Sequence, residues 1–420
     1  MSERLALGHP QFWWRPIEDR MADFAAMSEI SPFTKASVQN PLSGLQDDYY
    51  AVTRFAELTE VSRRSHDFCS GQGSISIPDM PAEAAEFFGS FIGMDDPRHF
   101  RQRSIVARSF SPKALQSVLD SVETICTEVI DGMCEKGEGD LVEMVSQPFP
   151  LLIICDMMGI PRSEFATVLD ATNVILGAGD PEFLGGKDAF TAILEAGMTL
   201  TALMDDLAEQ RRRNPTDDLT SALVHNTVGE EMLAPNEIAP FFILLAVAGN
   251  DTTRTATSLG MHLLSQNPDQ RKIWADDLDG ITPTAVEEIV RVASPVTFMR
   301  RTVTHPLTLS GHDFEAGDRM VLFYGAANRD PSVFEDPNRF DVRRDPNPHV
   351  GFGGPGPHFC LGAHLARREL SVIFRQLLTR LPDIEVTGDP VYLQAAGVPL
   401  VGGVKRLPVS FTPTAPIGAR

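Results

Sequence analysis

The feature that most constrains this chain is a run rich in glycine and proline, Gly351–Gly362, that ends around a single cysteine. It reads GFGGPGPHFCLG, with four glycines and two prolines in its first seven residues. Such a composition fits neither a helix nor a strand, because glycine weakens both and proline lacks a backbone donor. The residues after Cys360 (LGAHLARRELSVIFRQLL) show helical periodicity instead. The run predicts a tight loop that approaches a flat partner closely and places a thiol at the start of a helix.

A thiol in this position has a defined chemistry. The N-terminus of a helix presents unpaired N–H groups and the positive end of the helix dipole, and both favour the thiolate. A thiolate held this way is a strong axial ligand for haem iron, an arrangement that favours O–O cleavage. A lone cysteine is more often simply buried, so the interpretation depends on the residues around it.

The surrounding residues resemble the haem-binding signature of the cytochrome P-450 monooxygenases. In that signature a phenylalanine, glycines and a histidine or arginine precede the ligand cysteine, and the matching positions here are Phe352, Gly356, His358, Cys360 and Gly362. Phe352 lies eight residues before Cys360, one more than is commonest in the family. This longer spacing resembles that of bacterial members that oxidise lipids. The resemblance implies haem b with Cys360 as iron ligand, and O₂ as co-substrate.

A second motif, AGNDTT, places polar residues within an apolar run. Asp251, Thr252 and Thr253 follow the segment IAPFFILLAVAG. An acid beside a hydroxyl can relay the protons that oxygen activation needs, although an isolated Asp-Thr-Thr is more often a polar helix face. The family carries an acid–threonine oxygen-activation motif on a helix of this kind. By that resemblance Asp251 and Thr252 are the proton-delivery pair, and Ala248 and Gly249 lie over the haem.

A third motif is the ExxR pair Glu288–Arg291, whose members lie on one helix face. The spacing alone is a weak signal, because Glu60–Arg63 and Glu209–Arg212 share it and most such pairs are surface ion pairs worth about 0–1 kcal/mol. Its position between AGNDTT and the cysteine loop selects this pair. By the resemblance it holds the irregular segment before Cys360, a structural role.

The two haem propionates implied by the resemblance need partners that carry positive charge. His99 and Arg103 are four residues apart on one predicted helix, and His358 lies in the cysteine loop. Arg301 follows the segment SPVTFM and is the fourth candidate. Arg300 is its neighbour, and the choice between these two arginines stays open.

The substrate class is predicted from segments that form the pocket walls in the family. Here they contribute residues that are mostly apolar: Val247, Ala248, Val296, Phe298, Met299, Leu400 and Val401. An apolar lining predicts an apolar ligand. The segments SPVTFMRRTVT and HVGFGGPGPHFCLG are similar to those of actinobacterial enzymes that hydroxylate sterol side chains and branched lipids. We therefore expect a lipid, sterol or terpenoid, with a small aromatic or a polyketide as the alternative.

The sequence contains no Rossmann-like GxGxxG motif and no iron–sulfur cysteine cluster, so electrons must come from outside the chain. The resemblance implies a ferredoxin and its NAD(P)H-dependent reductase. Arg101, Arg367 and Arg368 would form a basic patch for that partner, or would be ordinary solvated helix charges. A peroxygenase or isomerase, or a haem protein that only binds a ligand, would have no use for both Asp251 and Thr252.

Composition sets the remaining expectations. With 420 residues, 43% of them hydrophobic, a large core is supplied, and no linker or repeat divides the chain. We expect one domain of the cytochrome P-450 fold, mainly α with small β-sheets, that encloses the haem. Its parts would be a helix and β region (1–94), a haem-binding core (95–408) and a loose tail (409–420).

The cysteines and the net charge argue against several classes of protein. Five cysteines without a CxxC pair argue against a disulfide framework and suit a reducing cytoplasm. The N-terminus does not read as a signal peptide or membrane anchor. The net charge of −21 argues against nucleic acid as a partner.

Four elements around the motifs are predicted in detail. A long helix runs from an N-cap at Asn236 to about Gln266, and another covers Pro283–Ala293. Strands are expected at Val303–Leu309 and Arg319–Phe323.

Overall fold

The computed structural model describes residues 7–40, 44–79, 89–110, 116–177, 179–225, 233–394 and 398–418. Helices dominate, which confirms the mainly α expectation. The helices are α1 (Pro10–Trp13), α2 (Ile17–Ile30), α3 (Phe55–Arg63), α4 (Arg98–Ser109), α5 (Gln116–Asp131), α6 (Pro148–Met158), α7 (Phe165–Gly177), α8 (Ala189–Arg213), α9 (Leu219–His225), α10 (Pro235–Gln266), α11 (Pro268–Asp276), α12 (Leu278–Ala293), α13 (Tyr324–Ala327) and α14 (Ala363–Arg380).

Short strands form four small sheets among the described residues. The strands are β1 (Phe33–Gln39), β2 (Gln46–Val52), β3 (Phe68–Cys69), β4 (Glu138–Asp140), β5 (Phe298–Val303), β6 (Leu307–Leu309), β7 (His312–Phe314), β8 (Arg319–Phe323), β9 (Glu385–Val386), β10 (Val391–Tyr392), β11 (Val404–Arg406) and β12 (Pro408–Ser410). The largest sheet has the order β1-β2-β8-β5-β3. Its β2 and β8 are parallel and its other neighbours antiparallel, with Phe298 of β5 opposite Phe323 of β8.

The 32-residue helix α10 lies at the centre of the helical part, against α6, α8, α12 and α14. The largest apolar cluster surrounds it and extends from Phe91 to Phe411. A cluster of this size supplies the rigid scaffold on which polar side chains at its centre are held in place. No helix in the described ranges is long and apolar enough to cross a bilayer.

The ends of α10 follow from its sequence. Pro235 occupies the first helical position, where the missing N–H is not needed. The Glu237 carboxylate accepts a hydrogen bond from the Ala234 backbone N–H at 2.7 Å. The predicted N-cap at Asn236 is therefore wrong by two residues, because proline sets the start. The predicted end at Gln266 is confirmed.

Two further boundaries differ from the prediction. Helix α12 begins at Leu278, five residues before Pro283, because Asp277 caps it by accepting from the Gly280 N–H at 2.9 Å. The predicted strand Val303–Leu309 is split into β5 and β6, since the intervening segment contains Pro306, which cannot donate to a ladder. Strand β8 has the predicted bounds.

The expectation of a loose tail is wrong for its described residues, which end at 418. Strand β12 pairs with both β4 and β9 in the centre of a three-stranded sheet. Beyond it, the Phe411 N–H donates to the Gly137 carbonyl at 2.8 Å and the Thr414 N–H donates to the Cys134 carbonyl at 2.8 Å. Backbone pairing of this kind with a distant part of the chain is not visible in a local composition.

Candidate active site

A cavity of about 230 Å³ lies between α10, the cysteine loop and α14. Ala248 is exposed although most of α10 is buried, and Cys360 is also exposed. Both residues line this cavity, so the surface that they expose is internal. Gly249, Phe352 and Gly362, also predicted to contact the haem, line the same cavity.

The cysteine loop is held by backbone contacts. The Cys360 N–H donates to the Phe352 carbonyl at 2.9 Å, and both side chains reach the cavity, so the loop accommodates the longer spacing. Gly356 has a φ of 148°, and a Cβ there would lie 2.4 Å from the Ser62 carbonyl oxygen of α3. Gly356 therefore allows the loop to pack closely against α3.

Cys360 does not itself begin the following helix. Helix α14 starts at Ala363 with Gly362 as its N-cap, so the predicted helix start was early by three residues. Burial raises the pKa of the Cys360 thiol, while the Gly362 N–H and the charges of Arg103 and Arg367 oppose that shift. A coordinated metal ion deprotonates such a thiol outright, so the donor fits an iron ligand.

Two guanidinium groups face the cavity without a carboxylate partner. Arg103 of α4 donates to the Phe359 carbonyl, and the buried Arg301 of β5 donates to the Arg300 carbonyl at 2.8 Å. Among the described residues no carboxylate lies within 4.0 Å of either group, and burial lowers the pKa of both. Buried cations require an anion, so this pair fits the two carboxylates of a haem.

The alternation of β5 decides between the two adjacent arginines. Met299 and Arg301 line the cavity, whereas Phe298 and Arg300 leave the opposite face of the strand. Arg300 donates to the Asp79 carboxylate at 2.6 Å on that opposite side. Arg301 is therefore the arginine at the cavity.

The two predicted histidines meet beside the cavity, with ring centroids 4.3 Å apart. His358 lines the cavity and its Nε2 lies 3.1 Å from Ser70 Oγ. His99 is buried, and its Nε2 has no partner among the described residues. Burial lowers the pKa of both, that of His358 to about 2. Both rings lie beside the cavity, where their nitrogens can form hydrogen bonds with a carboxylate.

The acid and the hydroxyl of AGNDTT lie on different sides of α10. Thr252 lines the cavity, and its Oγ1 donates to the Ala248 carbonyl at 2.7 Å. Asp251 lies behind it, 1% exposed, and its Oδ1 has no hydrogen-bond partner among the described residues. Burial raises the pKa of Asp251, and Arg254 opposes the shift.

Sequence reasoning missed a second carboxyl at the cavity. Glu369 of α14 accepts a hydrogen bond from Thr253 Oγ1 at 2.9 Å, and both residues line the cavity. Burial raises the pKa of Glu369 to about 8. A signal existed, because Glu369 is four residues from both Leu365 and Ile373 on the apolar face of α14.

The ExxR pair is buried and its hydrogen-bonding groups are used fully. Arg291 donates from Nε and Nη2 to the two oxygens of Glu288, each at 2.7 Å, and both side chains are 0% exposed. The remaining contacts all come from the irregular segment before the cysteine loop. Arg291 donates to the carbonyls of Asn328, Pro337 and Arg339, and Glu288 accepts from the Asp341 N–H, Arg344 and Asn347.

The predicted pocket residues divide into two groups. Ala248, Val296 and Met299 line the cavity. The others lie off its lining: Val247, Phe298, Leu400 and Val401. Phe298 packs instead against Phe323, with ring centroids 5.9 Å apart, because its side chain leaves the face of β5 opposite Met299.

Each arginine of the candidate basic patch has a carboxylate partner in the structure. The pairs are Arg101–Glu237 (2.9 Å), Arg367–Glu287 (2.6 Å) and Arg368–Glu123 (2.9 Å). The partners lie far away in sequence, so local charge counting overlooks them.

Comparison with known proteins agrees with this geometry. The family model described as cytochrome P-450 matches residues 85–382. The methyl-branched lipid omega-hydroxylase of Mycobacterium tuberculosis is 43% identical over 412 residues, 97% of this chain and 95% of that protein. The steroid C26-monooxygenase of Mycolicibacterium smegmatis is 34% identical over 402 residues, 94% of this chain and 91% of that protein.

Among solved structures, a Mycobacterium marinum cytochrome P-450 in complex with pseudoionone superposes with a TM-score of 0.90 at 38% identity. The match covers 98% of this chain and 99% of that one. The chain belongs to the cytochrome P-450 family and is a monooxygenase of that family. Family membership implies haem with a thiolate ligand, and O₂.

Proposed function

We propose that this enzyme hydroxylates a C–H bond of an apolar lipid, such as a methyl-branched chain or a sterol side chain. The observation that carries the proposal is the lining contributed by the first half of α10 and by residues 295–299, which lead into β5. It is entirely apolar: Phe241, Leu244, Leu245, Val296 and Met299. Such a lining selects ligands by shape and apolar area. The names of the M. tuberculosis and M. smegmatis relatives support the same substrate class.

In this proposal the chain holds the cofactor at one side of the cavity. Haem ligated by Cys360 would supply oxygen activation and the oxidation of the C–H bond. Arg103 and Arg301 would bind its carboxylates by charge, and His99 and His358 would donate hydrogen bonds. The ExxR pair would fix the segment that leads into the cysteine loop.

Proton delivery is assigned to Asp251 and Thr252. The Thr252 hydroxyl reaches the cavity, and the Asp251 carboxylate behind it keeps an oxygen available for proton exchange. A buried acid next to a hydroxyl that faces the substrate can pass protons from one side of the helix to the other.

Electrons are assigned to NAD(P)H through a ferredoxin and its reductase, because the sequence has no flavin, nicotinamide or iron–sulfur motif of its own. We place the enzyme in the cytoplasm, because its five cysteines are free. We treat the chain as one domain.

The test is an absorbance titration of the haem-loaded protein with branched fatty acids, sterols, terpenoids and aromatics. Binding of a substrate next to the iron shifts the Soret band, and we expect a saturable shift with one lipid class. The absence of a shift with every lipid, together with a shift produced by aromatics, would overturn the substrate assignment.

Two variants sharpen this titration. Met299→Ala changes a side chain in the cavity lining, so it should alter the dissociation constant of the lipid. Leu400→Ala removes a partly buried side chain off the lining and should leave that constant unchanged. Equal effects of the two variants would place the lipid elsewhere.

A further inference from the structure

Arg254 forms a buried ion pair with the acid of the AGNDTT motif. It lies three residues after Asp251 on α10, and the two side chains are 2% and 1% exposed. Arg254 Nη1 lies 3.7 Å from Asp251 Oδ1. This distance is too long for a hydrogen bond, but the attraction between charges persists at it.

Other acceptors hold the guanidinium at this distance. Arg254 Nε donates to the Val404 carbonyl at 3.0 Å, and Nη1 contacts Asn173 Oδ1 of α7 at 3.4 Å. The same Asn173 oxygen accepts from Gln147 Nε2 at 2.6 Å, which fixes the amide. Arg254 therefore supplies charge to Asp251 while its N–H groups are directed elsewhere.

The consequence is an unusual carboxylate. Asp251 Oδ1 is buried and has no hydrogen-bond partner among the described residues, although a cation lies next to it. Burial raises the pKa of Asp251 and Arg254 opposes that shift. Asp140 in turn acts on Arg254 from β4. The guanidinium charge therefore favours the ionised carboxylate against the effect of burial.

We propose that Arg254 is a positioning residue for proton delivery, which favours the ionised form of Asp251 by its charge while leaving the Asp251 Oδ1 free to exchange a proton. The inference rests on the proposed roles of Asp251 and Thr252. A relay must accept a proton on one side and release it on the other, and a carboxyl held permanently neutral does this poorly. Nothing in this arrangement requires Arg254 to touch the substrate or the cofactor.

The experiment measures product formation and reductant consumption against pH in the haem-loaded enzyme with its redox partners. Asp251→Asn should be slow at every pH, because an amide at this position cannot take up and release a proton. Arg254→Gln should be slower by about tenfold or more near neutral pH, and should recover as the pH rises and Asp251 ionises. Arg254→Lys should restore the wild-type profile, because it returns the charge.

A second variant moves the profile in the other direction. Asn173→Ala keeps both charges but removes an anchor, so Arg254 can close on Asp251 and lower its pKa. The acidic side of the plot of product formation against pH should then shift to lower pH. Together with Arg254→Lys, this variant keeps the test decisive even where Arg254→Gln does not bind haem.

The outcomes separate the two proposals. If Asp251→Asn is as fast as wild type, the relay itself is overturned, and this inference with it. If Asp251→Asn is slow but Arg254→Gln keeps the wild-type profile, only the role of Arg254 is overturned. If neither high pH nor the substitution Arg254→Lys restores the rate lost in Arg254→Gln, the role of Arg254 is structural. If Asn173→Ala leaves the acidic side of the pH profile unchanged, the anchoring argument is contradicted.

Discussion

Two ion pairs of identical spacing lie buried in this molecule, and they are built in opposite ways. Glu288–Arg291 on α12 is joined by two hydrogen bonds of 2.7 Å, and further donors and acceptors surround it. Asp251–Arg254 on α10 is separated by 3.7 Å, and one carboxylate oxygen has no hydrogen bond among the described residues. Both are almost completely inaccessible, so burial and spacing do not distinguish them. What differs is how completely the hydrogen-bonding groups are used.

That difference distinguishes an ion pair that holds the structure from one that can exchange a proton. A buried pair whose groups are all satisfied fixes the geometry of everything bonded to it, and removal of one partner leaves an uncompensated charge. A buried carboxylate with a free oxygen is instead available to exchange a proton, and groups of this kind concentrate at functional sites. We therefore assign the first pair to the support of the cysteine loop, and we propose that the second pair takes part in proton delivery.

The largest expected effect comes from breaking the Glu288–Arg291 pair, which is saturated in the sense that its hydrogen-bonding groups are all used. Glu288→Ala should destabilise the protein by about 3–5 kcal/mol and yield little haem-loaded enzyme, because Arg291 and the segment before the cysteine loop lose their shared partner. Urea unfolding and the haem content after purification measure this. The control is Glu60→Ala, which removes an ExxR partner that is exposed and 3.9 Å from Arg63. An equal loss in both variants would show that burial of the pair does not matter.

The next largest effect concerns the proposed proton transfer from Asp251 to the cavity through Thr252. Thr252→Ala should keep consuming reductant but divert it to peroxide, with product formation lower by about 10²-fold. Product and peroxide per NAD(P)H oxidised measure this. Thr255→Val is the matched control, because the Thr255 hydroxyl is buried on the same helix without a partner among the described residues. Unchanged coupling in Thr252→Ala would contradict the relay.

A smaller effect should follow from removing a neighbour of the Glu288–Arg291 pair while both members of the pair stay in place. Arg344 donates from Nε to Glu288 at 3.3 Å and from Nη1 to the Glu335 carbonyl at 2.8 Å. Arg344→Met removes these bonds but leaves Arg291 in place, so we expect a loss of about 1–3 kcal/mol with haem still bound. Urea unfolding followed at the Soret band measures both quantities. A loss as large as that of Glu288→Ala would show that the pair depends on its whole surroundings.

Sequence and structure agree where chemistry depends on residue identity. The cysteine loop, AGNDTT and the ExxR pair could all be found in the sequence, because each needs particular residues at a fixed spacing. Whether Arg300 or Arg301 faces the cavity followed only from the register of β5. The off-cavity position of Phe298 has the same origin.

The rest depends on contacts between distant parts of the chain. The arginines of the expected basic patch are neutralised by carboxylates from other helices. Arg254 was visible as a charge in an apolar helix, but its anchors at Asn173 and Val404 come from 81 and 150 residues away. No local sequence pattern distinguishes an ion pair whose hydrogen-bonding groups are all used from one that keeps an oxygen without a hydrogen bond.

The most direct test of the account is the absorbance spectrum of the ferrous–CO form in wild type, Cys360→Ser and Cys155→Ala. Cys155 is a buried free cysteine and serves as the control. We predict a thiolate-ligated Soret band in wild type and in Cys155→Ala, and its loss in Cys360→Ser. Retention of that band in Cys360→Ser would contradict the assignment of Cys360, and with it the site that the two ion pairs are proposed to serve.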